Sequence, residues 1–126
     1  MQVKHIFTGL ICCLALVAFQ STFAASDAIK TMAGIMMKLN HYPSDSEKEQ
    51  LKALASKDGT TDAEKVIANA MVNLEHSATA ADKKKLSKIM NDDSVPGPAR
   101  VLAGIVHDLS HKPSADDKKK LEEMMK

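Results

Sequence analysis

Three histidines, His41, His76 and His111, stand 35 residues apart, and a fourth, His107, lies four positions before the last of them. Imidazole is the commonest metal-ligating side chain and the group whose charge changes near neutral pH, so these residues have the most chemistry to offer. A spacing of four puts the rings of His107 and His111 on one face of a helix, which is the geometry of two-histidine metal ligation. Asp108 beside them brings a carboxylate as a third donor. His107 and His111 are therefore the candidate metal ligands of the sequence, and a divalent metal or copper is the ion they would take.

The equally spaced trio reads differently. If the segments that carry them stack side by side, equivalent positions lie at least one helix-packing distance apart, ~8–10 Å. Zinc needs its nitrogens at ~2.0–2.1 Å from the ion. His41, His76 and His111 are thus expected to be structural. Each follows the last apolar residue of a helix, where an imidazole donates to the final carbonyls and, when charged, is favoured by the negative helix end.

Other groups offer less. The seven methionines after residue 24, Met32, Met36, Met37, Met71, Met90, Met124 and Met125, could give thioethers to copper(I), but most fall on apolar stripes where methionine fills the core of a stretch without phenylalanine or tryptophan. Lys83-Lys84-Lys85 and Lys118-Lys119-Lys120 follow acidic residues and read as solvated helix faces. No glycine-rich phosphate loop, nucleophile elbow or placeable Ser/His/Asp order is present, so a non-enzyme is expected.

The elements that carry these residues come from an internal repeat. With an offset of 35 and no gaps, His41, His76 and His111 align, as do Leu39, Leu74 and Leu109, Ala33, Ala68 and Ala103, and Leu51, Leu86 and Leu121. Self-similarity at such a period is the mark of repeated supersecondary units. In the first half of each copy the apolar residues, such as Met32, Ala33, Ile35, Met36 and Leu39, recur on one face of a helix. The second half has a narrower stripe, as in Leu86, Ile89 and Met90. Ser44, Thr79 and Ser114 stand in register, each with Glu47, Asp82 or Asp117 three residues on, which predicts a capping box at the start of each second helix. Pro43 and Pro113 stop the first helix before it. Turn formers at 57–62 and 92–98 separate the copies.

The expected fold is all-α: three 35-residue helix hairpins, six short helices in all, in repeats of about 26–60, 61–95 and 96–126. They form either a solenoid-like stack or a compact helical bundle. Equal gapless copies favour the stack, whose architecture is similar to that of tetratricopeptide repeats, although the large aromatic positions of that family are absent. In a stack, the last hairpin leaves its outer face uncovered. Met37, Leu121, Met124 and Met125, with Ile105 and Leu109 beneath, are then the candidate residues for binding a protein partner or a second copy.

Residues 1–24 have a basic start, a short apolar run through Cys12, Cys13 and Phe19, and Ala24 at the end, which predicts a secretory signal peptide. The run is too short for a spanning helix, which needs ~20 apolar residues. Residues 25–126, the expected single all-α domain, then contain no cysteine, one aromatic ring in Tyr42, and acidic and basic residues in equal number. Disulfides and thiolate sites are excluded, and nucleic acid is not an expected partner, for want of stacking rings and net charge. A periplasmic or secreted protein-interaction or scaffold module is the expected function, with metal handling through His and Met side chains as the alternative.

Overall fold

The computed structural model describes residues 24–126, so the expected signal segment lies, except for Ala24, outside the described residues. The repeat becomes six helices: α1 (Asp27–Lys38), α2 (Asp45–Ser56), α3 (Asp62–Val72), α4 (Ala80–Met90), α5 (Gly97–Asp108) and α6 (Ala115–Met125). Among the described residues there is no sheet, and no helix is long and apolar enough to cross a membrane.

The helix starts have the chemical cause that the sequence indicates. The Ser44 hydroxyl accepts from the Glu47 amide, and the Glu47 carboxylate accepts in turn from the Ser44 amide at 2.8 Å. Ser114 and Asp117 repeat this reciprocal pair at α6, and Thr61 with Glu64 forms a further one at α3. Thr79 accepts from the Asp82 amide, but the buried Asp82 carboxylate turns elsewhere, accepting from the Thr79 hydroxyl at 2.8 Å and from Asn73 Nδ2 at 3.1 Å. α5 has no side-chain cap and begins instead in the prolines Pro96 and Pro98, whose fixed φ suits a first turn. Gly59, at φ +88, makes the turn between α2 and α3. Between α4 and α5 the Asp92 carboxylate accepts from the Ser94 hydroxyl and amide, and both bonds hold its carboxyl below the usual range.

The packing order decides the architecture. The second helix of each copy packs chiefly on the first helix of the next: α2 on α3, and α4 on α5. α6 continues the same step onto α1, so the three hairpins close into a ring with approximate threefold symmetry. The first helices α1, α3 and α5 touch one another on the inside. The buried side chains form one cluster, in which Met32, Ala33, Met36, Ile67, Ala68, Met71, Leu102, Ala103 and Val106 are fully enclosed. At the start of α1 the Ser26 hydroxyl donates to the Glu64 carboxylate of α3, a second tie from the first copy to its neighbour.

The stack favoured by equal repeat length therefore does not form; the bundle does. Copies related by a constant rotation satisfy the same equal spacing whether the rotation leads to an open array or returns on itself. Closure also removes the expected free face. Leu121 is fully buried, and Met124, Ile105 and Leu109 are at most 7% exposed, because α1 occupies the place that a fourth copy would have taken. Met37 is packed against the core, and only Met125 is much exposed, with its sulfur against Gly34 of α1.

Two measurements check this frame. Thr79→Ala and Ser114→Ala should each lower stability by about 0.5–2 kcal/mol, read from the denaturant midpoint, with Thr79 the costlier because Asp82 loses a donor while buried. Met124→Lys should destabilise the chain strongly by placing an unpaired charge in the α6–α1 seam, whereas Met125→Lys should leave the melting temperature nearly unchanged.

Candidate metal centre

α1, α3 and α5 run in the same direction inside the ring, so their C-terminal ends meet at one end of it. The three aligned histidines follow those ends by a few residues. Their rings lie against one another, with centroids 5.4 Å apart for His41 and His76, 5.3 Å for His41 and His111, and 5.0 Å for His76 and His111. One ring nitrogen from each falls within 4.8 Å of the others, and all three side chains are exposed. The distance that argued against a shared site belonged to a stack. Around an axis, helix ends converge, and side chains pointing inward meet.

The backbone ties the corners together as well. The His41 amide donates to the His111 carbonyl at 2.9 Å, and the His111 amide to the His76 carbonyl at 2.7 Å. His41 and His111 have positive φ values of 93° and 65°. At His111 the Lys112 amide donates to the Ser110 carbonyl at 2.8 Å, which closes a three-residue turn of the strained kind. Non-glycine residues held in such conformations cost on the order of 1–3 kcal/mol each and cluster at functional sites. His76 is the exception, with no positive φ; its copy ends α3 in a different cap at Asn73 and has Ala78 where the other two have Pro43 and Pro113.

The electrostatics at this end suit a cation. Three helix C-termini point their partial negative charge toward it. The starts of α2, α4 and α6 lie close by in sequence, and their positive ends are occupied by Glu47, Asp82 and Asp117. The His41 Nδ1 lies 3.2 Å from the Asn40 side-chain oxygen. Donation there fixes the tautomer that leaves Nε2 with a free lone pair, as metal-bound histidines usually require. A tetrahedral ion with nitrogens at ~2.0–2.1 Å would draw its ligands to about 3.3 Å from one another. The donor atoms, within 4.8 Å of one another, would have to draw in to that distance around an ion.

His107 is placed elsewhere. Its Nε2 lies 3.2 Å from the Ser87 hydroxyl on α4, and its Nδ1 lies 2.6 Å from the Asp108 carboxylate. Both nitrogens are engaged, and the contact with Ser87 holds α5 to α4. His111 leaves the helix before it can share a face with His107, since α5 ends at Asp108. The two candidate ligands of the sequence are thus divided: His111 joins His41 and His76, and His107 does not. Ser87, His107 and Asp108 stand in the hydrogen-bond order of a hydrolytic triad, with Ser87 inside α4, where the helix's own amides are bonded along the helix. The methionines other than Met125 serve the core, with Met32, Met36 and Met71 fully buried. The lysine runs lie on exposed helix faces, where Lys119 and Lys120 pair with Asp116 and Asp117 one turn away.

No family model matches the chain, and neither a curated protein nor a solved structure does. The reading of the site therefore stands on its geometry.

Closure of the ring has a direct signature in solution. Nuclear Overhauser effects should connect ring protons of His41, His76 and His111 pairwise, and none should connect His107 to His41 or His76. Contacts confined to residues within one repeat would contradict the arrangement.

Proposed function

We propose that this chain is an exported metal-binding protein whose ion is held by His41, His76 and His111. The observation that carries the reading is the convergence of one imidazole from each copy on the axis of the ring, with donor atoms within 4.8 Å. Three nitrogen donors with no thiolate in residues 25–126 favour zinc, copper(II), nickel or cobalt over calcium and magnesium, which prefer oxygen. Because each ligand belongs to a different hairpin, a bound ion cross-links the three copies. Metal binding is then linked to the stability of the fold, in the way that any ligand selective for the native state is. Export rests on the signal-like segment at 1–24. A protein-docking role through the last hairpin has less support, since Leu121 and Met124 face α1.

Equilibrium dialysis with zinc, with the metal counted by mass spectrometry, tests the reading. One ion per chain is expected, lost in His76→Ala and retained in His107→Ala. Free zinc at a hundred times its Kd should stabilise the fold by about 2.7 kcal/mol, seen as a rise in melting temperature. Absence of binding, or equal losses in His76→Ala and His107→Ala, would falsify the assignment.

A further inference from the structure

An ion held by the three histidines receives all its protein ligands from one side, because the three corners lie at one end of the ring. The opposite side is open: the rings are exposed, and no fourth histidine, cysteine or carboxylate joins the group among the described residues. The remaining coordination position of a tetrahedral ion therefore points outward along the axis. Structural zinc sites fill all four positions with protein, whereas sites with three protein ligands leave the fourth to water or to an incoming ligand.

Charge determines what that ligand is. Three imidazoles are neutral, so a divalent ion keeps its full charge and favours an anion at the free position. The residues that follow the histidines, Tyr42, Ser77 and Lys112, are all exposed, and each carries a hydrogen-bond donor: a phenol, a hydroxyl and an ammonium. The residues that precede them, Asn40, Glu75 and Ser110, contribute one carboxylate. Lys48 sits over the Tyr42 ring, 5.7 Å from its centroid, and adds a second cation on this side. The corner residues thus bring donors, and the carboxylates of Glu75, Glu47, Asp82 and Asp117 stand beside Lys112 and Lys48. The charge that draws an anion is therefore the ion's own, with Lys112 the cation next to His111 in the chain.

We infer that the outward position of this centre binds a small monodentate anion, with Lys112 as the counter-charge on its rim. The inference rests on the metal reading of the trio and goes beyond it in naming the ligand class. Carboxylate, bicarbonate, azide and hydroxide all belong to that class. On a tetrahedral ion a single position is free, and a monodentate anion is enough to fill it.

Cobalt(II) reports the coordination directly through its visible spectrum, and azide is the probe. The protein is loaded with cobalt, its occupancy is measured by dialysis, and azide is titrated in. A saturable change in the cobalt bands is expected. Lys112→Met should raise the azide Kd by about two- to fivefold, as for a partly screened surface charge, without changing cobalt occupancy. Lys119→Met, a lysine on the exposed face of α6, should leave both unchanged. If cobalt is retained while azide leaves the spectrum untouched, the anion position is overturned and the metal site stands. If azide binds equally well to Lys112→Met, the role of Lys112 is overturned. If no cobalt is retained, the metal reading falls and this inference with it.

Discussion

The packing of α6 on α1 is the contact on which the rest of the molecule depends. It converts a linear series of hairpins into a ring. Without it, α1 and α6 would each present a buried stripe to water, with Leu121, Met124, Ile29 and Met32 among the residues exposed. Burial of such side chains is worth roughly 1.5–3 kcal/mol apiece, which makes the closed form strongly preferred over an open array of three copies. Long solenoids cover their ends with polar capping repeats. A three-copy ring has no ends to cover.

Closure has a second consequence at the level of chemistry. In an open array a residue repeated in every copy is displaced along the array, and its copies stay apart. Around an axis the same residue is brought to one point. The histidine corners show this in both side chain and backbone, since the rings meet and the His41 and His111 amides reach across to carbonyls of other copies. Duplication of one helix corner thus produces a cluster of three without any copy having to carry a complete site. The symmetry is incomplete, however. The second copy lacks the proline and the strained φ of the other two, and Asn73 binds Asp82 in a way that the other copies do not repeat. His76 is accordingly the one of the three histidines held on the most relaxed backbone.

Two networks divide the polar chemistry of the chain. His107 is consumed in a bond to Ser87 that fastens α4 to α5, and its other nitrogen is occupied by Asp108. Its value is cohesion between hairpins. The axial histidines have few such obligations, with Asn40 on His41 the one side-chain hydrogen bond to any of the three among the described residues. Side chains of one type in one chain therefore take opposite parts, according to whether their nitrogens are already satisfied.

The sequence by itself determined the local structure. Capping residues at Ser44, Thr79 and Ser114, the stripes through Met32 to Leu39 and their copies, and the prolines at the corners act over a few residues, and each appears where its chemistry requires. The repeat was equally legible, as was the burial of most methionines. Whether the copies step along a line or turn about an axis was not, because the same apolar stripe on each helix serves either arrangement. That choice depends on the angle between successive hairpins, which is set by the packing of side chains from different copies. Only the tertiary structure fixes it, and with it the fate of Leu121 and Met124 and the meeting of His41, His76 and His111. A four-residue spacing such as that of His107 and His111 is visible on the chain, whereas a cluster made by rotation exists only in space.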